Sequence, residues 1–129
     1  GMDIYRINTL VDLINLVSMA SGYAIGGFDA DKIIGDVVTL GVGMKDERFE
    51  GIGRGLLNVE GLPLYRDAHG GIGSPTSDEE RTKISLSTCH LQMQINCFAE
   101  EMPLVDTVQW TVSLLEKYAE GCNFDIRYF

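Results

Sequence analysis

The sequence predicts an α+β fold: a compact β-rich domain of layered mixed sheets, flanked by an N-terminal and a C-terminal helix. Three observations predict it. Apolar residues recur at helical spacing near each end of the chain. Segments rich in β-branched or alternating residues fill the middle. The order helix, several strands, helix, strand segregates the two kinds of element.

The first helix is expected over residues 9–21, where Leu10, Leu13, Ile14 and Val17 recur on one face. Thr9 and Asp12 form a capping-box-like start, and Gly22 supplies a stop. Residues 33–43, "IIGDVVTLGVG", read as a strand. The glycines of residues 51–55, "GIGRG", read as a turn or a bulged strand. Residues 56–67 read as a hairpin turning near Glu60-Gly61. Residues 69–74 read as a flexible loop, and 75–82 as one helical turn capped by Ser77 and Glu80. Residues 87–99 alternate: Leu91, Met93, Ile95 and Cys97 point one way, and His90, Gln92, Gln94 and Asn96 the other. The second helix is expected over 102–121, with Pro103 in its first turn and a buried stripe of Val108, Val112, Leu115 and Ala119. Residues 124–129 read as a closing strand.

The chain has 129 residues, enough for one domain spanning 1–129 that needs no disulfide or metal to be stable. Gly1 before Met2 reads as a tag-cleavage remnant. The net charge of −9 opposes autonomous binding of nucleic acid, and no DNA partner is expected. No apolar run is long enough to span a bilayer and no signal-peptide pattern opens the chain, so no membrane partner and a cytoplasmic location are expected. The odd count of three cysteines fits thiols in a reducing compartment, with Cys89 and Cys97 acting as small apolar side chains.

Most familiar chemistries find no pattern. The glycines of 51–55 do not match a dinucleotide fingerprint, and "HGGIGSPTSDEERT" (69–82) lacks the Lys-Ser/Thr of a phosphate loop. His69, Cys89, His90 and Cys97 match no zinc spacing, so neither metal nor cofactor is expected. Cys89 and His90 are strand neighbours facing opposite ways, which is not a catalytic dyad. The polar row His90, Gln92, Gln94, Asn96 is either a solvated sheet face or the wall of a small polar pocket, since amides both donate and accept.

Two stretches carry a resemblance. One is residues 7–37, with Asn8, Val11-Asp12, Asn15, Gly22, Phe28-Asp29, Asp31 and Lys32 in order. The other contains Ser77-Asp78-Glu79-Glu80-Arg81-Thr82, a Ser-Asp-x-x-Arg-Thr signature. Together they resemble the B-three/B-four editing region of the phenylalanyl-tRNA synthetase beta chain, in its free-standing form, over nearly the whole chain. The N-terminal segment of longer relatives is expected to be absent.

The resemblance implies a trans-editing deacylase that hydrolyses the ester of a mischarged aromatic or related amino acid on tRNA. Its partner would be the tRNA acceptor end or a free amino acid. The alternative is a non-catalytic module binding an amino acid or an RNA end. Catalysis would come from positioning water and the terminal ribose, with no side chain assigned as general base. The resemblance implies substrate-binding roles for Arg6, Asn15, Gly26, Gly71, Gly73 and Gln94, with water held near Asn15, Gly71 and Gly73. Asp78, Arg81 and Thr82 would shape the loop, Asp78 pairing with Arg81. Gly26 stands where the family has a histidine, and Gln94 where it has the glutamate that reads the tyrosine hydroxyl. Exchanging a charged acceptor for a neutral one weakens that discrimination by roughly 1 kcal/mol, near tenfold or less.

Overall fold

The computed structural model describes residues 2–96 and 103–129, with residues 2–8 given by their backbone alone. The fold is α+β. It divides into two compact units.

The first unit is formed by the two ends of the chain and contains both helices. Helix α1 spans Met2–Ser21. It does not start at a Thr9 cap, because residues 2–8 contain neither proline nor glycine and simply continue the helix. The expected stop holds: Gly22 adopts a φ of 78° and donates to the Ser18 carbonyl. Leu10, Leu13, Ile14 and Val17 are buried, as their spacing requires.

Helix α2 spans Leu104–Ala119 and lies against α1. Its buried row is Thr107, Thr111 and Leu115; Leu115 is buried as expected, while Val108, Val112 and Ala119 are half-buried, with Thr107 and Thr111 one position before the two valines. Threonines tolerate this because their hydroxyls donate to the carbonyls one turn back, Thr107 to Pro103 at 3.1 Å and Thr111 to Thr107 at 2.8 Å. Glu120 takes the left-handed position that ends the helix. Residues 122–129 form no strand and are exposed. Their alternating pattern finds no partner strand among the described residues, and a strand without a ladder has no stable form in water. Cys97 and Met102 lie outside the described residues.

The second unit is Ala24–Asn96. Strand β1 (Ala24–Asp29) pairs antiparallel with β7 (Leu91–Asn96). Strand β2 (Thr39–Val42), β5 (Pro63–Arg66) and β6 (Gly71–Gly73) make a sheet in the order β2-β5-β6. Strands β3 (Glu50–Gly51) and β4 (Gly55–Leu56) form a hairpin closed by the expected turn in residues 51–55. Every described pairing is antiparallel.

Three expectations change here. The strand over 33–43 shortens to Thr39–Val42, because Gly35 takes a φ of 86° and breaks the extended run. Residues 56–67 are not a hairpin: Leu56 pairs with Glu50, while β5 pairs with β2. The turn itself exists, with Gly61 at a φ of 79° and Asn58 Oδ1 accepting from the Glu60 N–H, but it joins two different sheets. Within residues 69–74, Gly71–Gly73 form buried strand β6 rather than a flexible loop. The core centres on Phe49, Val59 and Leu64, with Phe28 and Ile72 also buried. No helix among the described residues is long and apolar enough to cross a membrane.

Candidate functional site

Strand β7 decides how the polar row is used. In the β1–β7 ribbon Gly26 faces Gln94, Phe28 faces Gln92 and Ala24 faces Asn96. Directly paired residues project to the same side. Gln92, Gln94 and Asn96 therefore share a face with Phe28, which is 1% exposed. That face is the wall of an interior, not a solvated surface. His90 precedes the strand; it is exposed and its ring meets the Asp31 carboxylate at 2.9 Å, which raises its pKa. Cys89 is exposed, contrary to its expected apolar burial, because the reversal before β7 turns it outward.

Two glycines bring the sheets together at this wall. A Cβ on Gly26 would stand 2.9 Å from the tip of the Phe28 ring, and one on Gly73 only 2.7 Å from the same atom. The ring tip occupies the space that both side chains would need. Asp78 Oδ1 borders the same space, 3.5 Å from the Gly26 position and 3.2 Å from the Gly73 position. Tyr65 pairs with Gly73 on β5, and its hydroxyl donates to Asn96 Oδ1. The Asn96 amide donates in turn to the Ala24 carbonyl at 3.0 Å. Burial raises the Tyr65 pKa.

Two members of this cluster stand out. Burial pushes the Asp78 carboxyl up to about 6, with only the Gly27 N–H lowering it. Gln94 Oε1 is buried with no hydrogen-bond partner. An unpartnered buried acceptor costs about 1–3 kcal/mol, and perturbed carboxyls gather where chemistry or binding is done. A buried unpartnered oxygen also occurs at Thr82.

The expected Asp78–Arg81 pair does not form. Arg81 instead clamps Asp67 with two bonds of 2.9 Å, and the Asp67 side chain is fully buried. Burial alone would raise Asp67. The Arg81 fork and the N–H groups of Ile34, His69 and Gly70 outweigh it and hold the carboxyl well below the usual range. Nor do Ser77 and Glu80 make the cap. Glu79 accepts from Arg81 N–H at 2.5 Å and from Glu50 N–H at 3.1 Å, so it starts the 3-10 turn Glu80–Thr82 and ties it to β3. The loop is therefore shaped by Arg81 and Glu79, which reach the remote residues Asp67 and Glu50.

Of the residues expected in the site, Gly26, Gly73 and Gln94 come together in the second unit. Gly71 sits one step away, where a Cβ would press on Phe49 at 3.0 Å and Leu64 at 3.2 Å. Asn15 is exposed on α1 in the first unit. Arg6 lies on α1 with its side chain outside the described residues. Sequence reasoning missed Tyr65, whose only sign was a place in an expected strand, and missed that Asp78 is a wall residue.

The same unit has an open cleft of about 290 Å³ lined by Arg48, Glu50, His69, Gly70, Gly71, Glu79, Glu80 and Arg81. Three glutamates offset its two arginines, and one of those is committed to Asp67. That balance suits a phosphate poorly.

Comparison with known families finds that the model described as the B3/4 domain matches residues 2–103. Comparison with curated proteins finds no match.

Proposed function

Because the chain belongs to the B3/4 domain family of the phenylalanyl-tRNA synthetase beta chain, we propose that it hydrolyses the ester of a mischarged aromatic or related amino acid on tRNA. The observation that carries this reading is the interior cluster of Gly26, Gly73, Asp78 and Gln94, with an unpartnered amide oxygen and a carboxyl near its titration point. The cluster is partly apolar through Phe28 and carries acceptors on two segments, which suits contact with one amino-acid moiety. In this reading the amino acid enters the cluster and Gln94 contacts it. Water held near Gly71 and Gly73 attacks the ester carbon, while for Arg6 and Asn15 the family resemblance alone implies a role toward the tRNA end. The ribose oxygen leaves with a proton. Holding water and ester together is itself a large catalytic term.

Deacylation of a panel of misacylated tRNAs tests this. We expect cleavage above the buffer rate for at least one aromatic amino acid, and a changed rate or amino-acid preference in Asn15→Ala and Gln94→Ala. No cleavage at high protein concentration sinks the enzyme reading, and unchanged variants sink the site. One observation favours a second reading. The net charge of −9 opposes the phosphate contacts that give tRNA affinity, and it suits a module that binds a free amino acid without cleaving anything. Calorimetry with free amino acids would then show heat where the deacylation assay shows nothing.

A further inference from the structure

Residues 37–44, "VVTLGVGM", carry neither charge nor proline in a chain whose net charge is −9. They contain strand β2, yet their large apolar side chains are not covered. Val37, Leu40, Val42 and Met44 are each 56% to 65% exposed. A contiguous apolar patch of this kind marks an interaction surface in a folded protein.

The backbone beside the patch is open as well. Strand β2 is an edge of the sheet β2-β5-β6. The Gly43 N–H donates to the Leu62 carbonyl and the Gly43 carbonyl accepts from Gly61, so Gly43 points its backbone groups toward β5. Strand alternation then turns those of Leu40 and Val42 outward. One end of this edge is closed: the Val42 carbonyl accepts from Arg66 at 2.7 Å, and the Met44 N–H donates to Glu47 at 2.9 Å. The Leu40 N–H and carbonyl and the Val42 N–H face away from β5, with no strand beyond them among the described residues. The opposite edge is in use, since Gly73 bridges to Asp78 and the Ile72 carbonyl accepts from Glu79. This sheet can therefore be extended on the β2 side.

The flanking charges say by what. Asp36 stands before the uncharged run and Lys45 after it; both are exposed, and neither has an ion-pair partner among the described residues. A strand with opposite charges at its two ends is complementary to its own antiparallel copy. A two-fold axis at Leu40 sets Leu40 against Leu40, Val38 against Val42, and Asp36 against Met44 with Lys45 next to it. Parallel pairing would set Asp36 against Asp36, which repels. We propose that β2 is the interface with a second copy of this chain, paired edge to edge and antiparallel, with Leu40 on the two-fold axis and Asp36 of each copy meeting Lys45 of the other. The result is one continuous sheet with three strands from each copy. The contact is isologous and uses up the open edge, so assembly through it stops at two copies.

Sedimentation of the whole chain tests this, from about 1 μM to about 300 μM, the range of a modest interface. Reductant is kept present because Cys89 and Cys122 are exposed thiols that could cross-link on their own. We expect a monomer–dimer equilibrium within that range and no larger species. Leu40→Lys sets two like charges on the axis and is expected to weaken the dimer about tenfold or more. Asp36→Lys and Lys45→Asp are each expected to weaken it about threefold or more, and the double reversal to bring it back to within about twofold of the parent. Circular dichroism checks each fold; should Leu40→Lys fail to fold, the charge reversals at the two exposed positions carry the test. The proposal is overturned if the chain stays monomeric at about 300 μM, if folded Leu40→Lys associates as well as the parent, or if the double reversal associates no better than the single ones.

Discussion

Asp78 is a carboxyl kept partly out of water between two glycines, and its ionisation works against the fold. Its folded pKa, about 6, lies above the ordinary aspartate value of 3.8. The folded state therefore binds its proton more tightly than the unfolded state does, and stability is lost as pH rises through about 6. Asp78→Asn keeps the shape and the acceptor for the Gly27 N–H. We expect it to raise stability above about pH 7 and to leave it nearly unchanged below about pH 3, where both states are protonated. Denaturant melts at the two pH values check this; an equal difference at both would show that ionisation is not the cause. A residue destabilising at neutral pH yet kept in an interior fits a role in binding. In the sequence, Asp78 stands close to Arg81 and invites that pairing. The actual partner, Asp67, is brought in by strand β5 and the turn after it, a tertiary fact that no local spacing contains.

Among the elements, strand β6 shows best how glycine serves this fold. Gly71, Ile72 and Gly73 are all buried, and a Cβ on either glycine would press on Phe49 and Leu64 or on the Phe28 ring. Gly73→Ala must displace a fully buried ring, so we expect a loss of about 1–3 kcal/mol in chemical denaturation. Gly71→Ala meets its neighbours less tightly and is expected to cost less; the reverse order would refute this packing. Both helices were legible from their period, and in α1 the leucine and valine stripe also named the buried face, whereas in α2 the threonines took it. Strand β1 was not, since Gly26 and Gly27 erase the alternation that marks a strand. The same property hid β6. Gln94, Gly26 and Gly73 were legible as site residues only through family resemblance, whereas the polar row on β7 followed from alternation alone.

For the whole molecule, a net charge of −9 on 129 residues sets a background of self-repulsion. Raising ionic strength from about 0.01 M to about 0.15 M shortens the screening length from about 30 Å to about 8 Å. We expect the thermal midpoint to rise by a few degrees over that range, followed by circular dichroism. A fall would mean that ion pairs such as Arg81–Asp67 and Arg66–Glu47 outweigh the repulsion. The acidic balance was plain from composition, while the assignment of each arginine to its partner was not. The family match ends at residue 103, just before α2 begins. Yet α2 is the element that α1 lies against, and α1 falls within the match. Common descent and cooperative folding thus draw different borders on this chain. Cut at the inherited border, the polypeptide would keep its ancestry but lose the counterpart of its first helix.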